Sequence, residues 1–393
     1  MLSVFETLGW LSRAQIWITI FDFELQGLCW SLKCILLGFL RRCPIIVINS
    51  LAIFDLFVIF SGKSNFSDSD SNTSKAVIAI DLASTKIASV CFMIYFSLIQ
   101  KNHLNLINVI KEFETKWTDF LGKDVFRRRR RERWIYNSEF ILLLLYIFSF
   151  TYYSFITSDE QDNNITNFIW FIALSLQIAI VDITALYMIG FINVFVMTLD
   201  KLPPEKLKLI HNFLFLKFLT DFFKVLKMIN MVFGTALIGV LVIRLSEACI
   251  TTYFLFVVTY DVPYDYIEYI SLFMIAFCLW LIGNIYIMLK IATAGEYFQE
   301  KVADIFNKLA TCLEVSGHNE KDLYNYANLN IKTVLLRNRH EHDAIKIGRI
   351  CKIDRKLLFS ALVILTSNFT ICVQFRQFEL HTAMETTYNT VLH

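Results

Sequence analysis

The sequence predicts an all-α, polytopic membrane protein, a single domain over 1–393 with seven transmembrane helices, a cytoplasmic N-terminus and an extracellular C-terminus. Three observations carry the prediction. Hydrophobic residues make up 56% of the chain, with 37 Phe among them, which is too apolar for a soluble globular domain. Apolar runs long enough to cross about 30 Å of hydrocarbon recur along the whole chain. Lys and Arg gather in alternate connections between those runs, as the positive-inside rule requires of loops on the cytoplasmic side.

Residues 1 to about 40 are mixed. Ala14 to Phe21 is apolar but short, bounded by Arg13 and Asp22, and reads as an interfacial or packing helix. Glu6 and the lack of a basic region ahead of an apolar run argue against a cleaved signal peptide. Arg41 and Arg42 precede the first span, Cys43 to Phe60. The loop after it is rich in Ser and Asn and holds two glycosylation triplets, headed by Asn65 and Asn72. Two triplets opposite a double Arg place that loop outside. The second span is Ala76 to Gln100. Lys101, Lys111, Lys116, Lys123 and the run Arg127 to Arg131 follow it, marking a cytoplasmic loop that anchors beside anionic lipid. A nucleic-acid patch would need a soluble basic domain, and the formal net charge is only +2.

Phe140 to Thr157 is the third span. The next loop lacks Lys and Arg and offers a third triplet at Asn164, so it belongs outside. Phe168 to Leu199 is the fourth span. Pro203 and Pro204 break the chain, and Lys206 to Lys227 follow on amphipathic helical sequence. Met231 to Tyr260 is the fifth span and Ile270 to Ile291 the sixth. A long polar region, 296–353, carries apolar residues at helical spacing, among them Val302, Ile305, Phe306 and Leu309. Gly317 divides it into two helices, the second running from about Lys321 straight into the seventh span. The nine cysteines include none in a segment placed outside, so no disulfide is expected. A zinc site is not expected either, since no C-x-x-C pair occurs and His340 and His342 lie on a charged helix without a third ligand at fixed spacing.

Ionisable residues at bilayer depth are costly and so mark candidate sites. Asp182 lies near the middle of the fourth span and Arg244 near the middle of the fifth, with Glu247 three residues on along the same helical face. They form either a structural clamp or the polar end of a ligand pocket. Tyr152, Tyr153, Trp170, Gln177, Tyr253, Phe273 and Phe277 sit in the outer halves of the third to sixth spans. They suit a largely apolar cavity for a small organic ligand, and equally an interfacial aromatic belt. No Gly-rich phosphate loop, nucleophile elbow or acid pair appears, so neither enzyme chemistry nor a cofactor is expected.

The last span, read from IDRKLLFSALVILTSNFTICVQF, carries a polar edge of Ser360, Thr366, Ser367, Asn368, Thr370 and Gln374. Its charged lead-in at Asp354 and its ending in five mostly apolar residues before Gln374 and Phe375 resemble the last transmembrane helix of insect gustatory receptors. That family's motif places Thr-Tyr ahead of the five residues; here Ser367 and Asn368 stand instead. The resemblance implies a ligand-gated, non-selective cation channel of the plasma membrane of sensory neurons, opened by small-molecule tastants. It further implies homo- or heterotetramers whose 356–376 helices line a pore, with Gln374 and Phe375 at the outer constriction and 296–353 as cytoplasmic anchor helices. A G-protein-coupled receptor would need the opposite orientation. A secondary transporter with a polar site at Asp182 and Arg244 is the alternative, against which stands the odd number of spans. The missing Thr-Tyr pair leaves room for a diverged, nonchemosensory member of the family.

Overall fold

The structure, a computed structural model, describes residues 4–18, 32–61, 72–121, 130–156, 165–200, 212–261, 267–316, 346–347 and 351–392. Nearly all of them are helical, because a backbone in lipid must satisfy its N–H and C=O groups within its own segment. The helices are α1 (Val4–Thr7), α2 (Trp10–Ile18), α3 (Leu32–Phe60), α4 (Asn72–Leu121), α5 (Arg130–Ile156), α6 (Ile165–Asp200), α7 (Asn212–Ile229), α8 (Thr235–Asp261), α9 (Ile267–Ser316) and α10 (Arg355–Leu392). Strands β1 (Lys346–Ile347) and β2 (Cys351–Lys352) pair antiparallel just before α10.

Five stretches are long and apolar enough to cross a membrane: Arg131–Tyr152, Ile172–Thr198, Thr220–Val257, Met274–Ile305 and Arg355–Thr382. The two halves of α4, Ala83–Phe96 and Leu98–Thr118, meet at a 58° bend and together supply another. Ile46–Ile59 of α3 is a shorter apolar helix in the place of the first predicted span. The axis of the bundle is α6, where 94% of the most apolar stretch is buried, against 11% for α10. Around α6 pack α2, α3, α4, α5, α8 and α9, while α10 leans on α8 and α9 from outside.

The N-terminal segment is a packing element. Gly9 turns between α1 and α2 with φ of 57°, in the left-handed region that favours glycine. The turn lets the Trp10 N–H donate to Asn137 Oδ1 of α5 at 2.9 Å. Leu8 and Leu11 are fully buried.

Four segments differ from the sequence reading. The basic stretch after Gln100 is not a loop at first: α4 continues to Leu121. Leu106, Val109, Ile110, Phe113 and Trp117 form a buried stripe, with Phe113 and Trp117 against Phe218 of α7 at 5.6 and 5.1 Å between ring centroids. The Lys-bearing segment before the fifth span is continuous with it. A π-helical turn, Asn230–Gly234, joins α7 to α8, and the Tyr95 hydroxyl of α4 donates to its Val232 carbonyl at 3.0 Å. The region before the last span does not run into it as one helix. The strand pair intervenes, and Asp354 then caps α10, its Oδ1 accepting from the Leu357 N–H at 2.9 Å. Finally, the tail beyond Arg376 stays helical to Leu392, making α10 about 57 Å long at 1.5 Å per residue. The second predicted helix of 296–353, with His340 and His342, lies outside the described residues up to 345, whereas its first helix is the end of α9.

Close backbone approach docks α10. A Cβ at Gly295 of α9 would sit 2.2 Å from the Ile353 carbonyl oxygen, whereas one at Gly239 meets nothing nearer than Phe92 at 3.7 Å. Ala gains about 1 kcal/mol over Gly inside a helix, so Gly239→Ala is expected to stabilise the protein slightly. Gly295→Ala must displace backbone, and overpacking of that kind costs about 1–3 kcal/mol. Thermal unfolding of the two variants in detergent should therefore shift in opposite directions; equal shifts would refute the close docking.

Candidate functional site

The polar centre of the bundle is built by four helices around one guanidinium. Arg244 of α8 bonds Asp182 of α6 through Nη2 and Glu247 of its own helix through Nη1, and Nη1 also donates to Asn284 Oδ1 of α9 at 3.2 Å. Thr85 of α4 donates its hydroxyl to the other Glu247 oxygen at 3.0 Å. All five side chains are buried. The ring of Trp280 lies 5.5 Å from the Arg244 guanidinium carbon, one α-helical turn before Asn284. Phe150 and Tyr146 of α5 stack on that indole at 4.5 and 6.3 Å, and Tyr146 fits because Gly283 leaves space for its ring. The arrangement is a clamp that fixes four helices in register. It brings together Asp182, Arg244 and Glu247 as the sequence suggests. Asn284, Thr85 and Trp280 were missed, although an Asn inside the apolar run of α9 was a readable signal.

The aromatic candidates whose side chains are described do not all converge. Tyr152 is 54% exposed and stacks on the equally outward Phe148. Gln177 is buried, its amide nitrogen donating to the Ile48 carbonyl of α3 at 3.4 Å. Tyr253 is fully buried beside Phe254, and Phe254 stacks on Phe277 at 5.6 Å. Tyr153, Trp170, Phe273 and Asn72 lie on described helices, without a described side-chain position, and Asn65 and Asn164 lie outside the described residues.

Further ion pairs join helices elsewhere. Lys86 of α4 meets Asp55 of α3 at 2.7 Å, and Lys290 of α9 meets Glu139 of α5 at 2.6 Å. Among the described residues no group of three His, Cys, Asp or Glu could hold a metal ion, and the five cysteines described as free are Cys43, Cys91, Cys249, Cys278 and Cys372.

On α10 the buried residues Leu358 and Ala361 mark one face. Ser360, Ser367 and Gln374, seven residues apart, lie on the opposite face and are exposed, as are Thr366, Asn368, Thr370 and Phe375. The hydroxyls of Thr366, Ser367 and Thr370 bond back to the carbonyls of Leu362, Val363 and Thr366 at 2.9 to 3.0 Å.

Residues 18–379 match the 7tm chemosensory receptor family. The chain belongs to that family. It is thus a multi-pass membrane receptor and not an enzyme. The receptor's fold is similar to that of the insect olfactory receptor OR5 from Machilis hrabei, at TM-score 0.58 and 12% identity over 93% of this chain and 98% of that one. The same protein solved in complex with eugenol gives TM-score 0.63 and 12% identity over 95% of this chain and 99% of the other. No curated protein sequence matches the receptor.

Removing Arg244 would leave two carboxylates facing each other in a buried site, a loss of about 3–5 kcal/mol. Arg244→Leu is expected to abolish surface biotinylation of the receptor, and Thr85→Val to lower its unfolding temperature by a smaller step, since one carboxylate hydrogen bond is worth about 1.5–3 kcal/mol. Wild-type surface levels of Arg244→Leu, with altered ligand response only, would show that the cluster binds ligand instead of holding the bundle.

Proposed function

We propose that this receptor is a gustatory receptor acting as a ligand-gated, non-selective cation channel, opened by small-molecule tastants in the plasma membrane of sensory neurons. One observation carries the reading. The helix with the family's closing motif keeps its polar edge turned away from its own bundle. An amide such as Gln374 is costly against lipid, and a homo- or heterotetramer that turns this edge onto shared water removes the cost. A ring of Gln374 amides can replace part of a cation's hydration, and a ring of Phe375 side chains can gate by dewetting.

The ligand site lies in the outer halves of α5, α6, α8 and α9, with the Arg244 and Asp182 clamp as its floor and Gln177 as a polar wall. Phe273, Phe277, Trp170 and Tyr153 supply apolar surface. That OR5 was solved with eugenol supports a small organic molecule as the agonist class. Opening requires tighter binding to the open than to the closed state, since equal affinity shifts no equilibrium. In orientation, the N-terminus is cytoplasmic and the C-terminus extracellular, with Asn65, Asn72 and Asn164 on the outer side. Thr73 at the head of α4 bonds Glu379, about two-thirds of the way along α10, through its N–H and hydroxyl, at 3.1 and 2.8 Å. The head of α4 and Glu379 of α10 therefore lie together, which supports this orientation.

Patch recording from expressing cells tests the reading. Single-channel steps are expected, and Gln374→Ala should shift the reversal potential between sodium and potassium or alter rectification. Slow saturable uptake without steps would identify a carrier. An epitope after His393 should be stained on intact cells, and staining only after permeabilisation would reverse the orientation.

A further inference from the structure

A cavity of about 390 Å³ lies between α4, α8 and α10. Its walls include Val77 of α4, Ser246, Cys249 and Tyr253 of α8, and Asn368 and Cys372 of α10. We propose that it is a second small-molecule site, taking a mainly apolar molecule with one hydroxyl or carbonyl group, and that its occupant acts on α10.

Three features point to this class of ligand. The volume falls in the range of small-molecule pockets, which are apolar with a few placed polar groups. The Ser246 hydroxyl and the Asn368 amide line it from opposite walls, and neither has a hydrogen-bond partner among the described residues. In hydrocarbon such groups are expensive. A lipid acyl chain offers them nothing, whereas a hydroxyl or carbonyl pairs with them. Finally, Asn368 stands where the family's motif carries Tyr, so the cavity is open where a larger side chain would otherwise project. Tyr253, which the sequence assigned to the agonist pocket, belongs to this wall.

The consequence for α10 follows from the walls. The Cys249 thiol donates to the Leu365 carbonyl at 3.8 Å, tying α8 to α10 beside the cavity, and an occupant wedges between those same helices. The binding site rests on geometry alone, whereas its effect on current rests on the channel reading above.

Photolabelling with a diazirine-bearing octanol tests the site on the full receptor in lipid nanodiscs. Adducts are expected on the α8 and α10 walls, and excess unlabelled octanol should remove most of them. Asn368→Tyr and Ser246→Leu fill the cavity from opposite sides, and each should abolish the adducts while still eluting as a folded protein. Adducts that octanol does not compete mark an acyl-filled groove and overturn the site, as does labelling that survives both variants. In recordings, octanol should shift the open probability of the wild-type channel and leave both variants unaffected. No shift in a receptor labelled as expected overturns the action on α10. Absence of all current counts against the channel reading only.

Discussion

A guanidinium in the middle of a membrane bundle is the constraint on which the rest depends. A charged side chain at the bilayer centre costs about 2.5–3.5 kcal/mol even by insertion scales, and water cannot share the burden. Arg244 must therefore find its acceptors on neighbouring helices, and their positions are set by where those acceptors lie. Asp182 fixes the height of α6 against α8, Asn284 that of α9, and Thr85 reaches in from α4 to complete Glu247. The stack of Tyr146, Trp280 and Phe150 then ties α5 to the same level. Apolar packing alone would leave these helices free to slide, because lipid tails satisfy Leu and Phe as well as another helix does.

The same logic explains why α10 is different. With α6 at the axis and its neighbours locked around it, nothing is left to cover the last helix. Apolar side chains on its outer surface cost nothing in lipid, and the hydroxyls of Thr366, Ser367 and Thr370 bond their own backbone. The amides of Asn368 and Gln374 have no such recourse. Asn368 and Gln374 are six residues apart, about 120° around a helix of 3.6 residues per turn. They therefore call for two different polar surroundings, Asn368 at the seam with α8 and Gln374 away from the receptor's own bundle.

Hydropathy made most of the fold legible, since each long apolar run lies on a helix. The charged members of the clamp were legible as ionisable residues inside apolar runs, and Asn284 was readable by the same logic as an amide inside one, whereas Thr85 is too ordinary in type to stand out. Charge misled elsewhere. Lys101 to Lys116 looked like loop markers, yet the stripe Leu106, Val109, Ile110, Phe113 and Trp117 shows that one face of the basic segment is core. The rotation of the spans was the part that sequence could not supply. A helix apolar on every side has no pattern to say which face turns inward, so Tyr152 and Tyr253 read alike and one lies on the outer surface while the other is fully buried.

Because α8 belongs to both systems, it is where motion of α10 must be accommodated. On one side Arg244 and Glu247 hold α8 to α4, α6 and α9. On the other, α8 meets α10 through an apolar cluster of Leu241, Ala248 and Leu358 with Met288 and Ala292 of α9, and through the Cys249 thiol, a weak donor. The firmer contacts of α10 lie at its start, where the Ile353 backbone presses on Gly295, and about two-thirds of the way along it, where the Glu379 carboxylate meets Thr73. A helix held at those two levels and loosely between them can bow or turn about its axis without disturbing the ion cluster. The seam between α8 and α10 is thus the compliant part of an otherwise register-locked bundle.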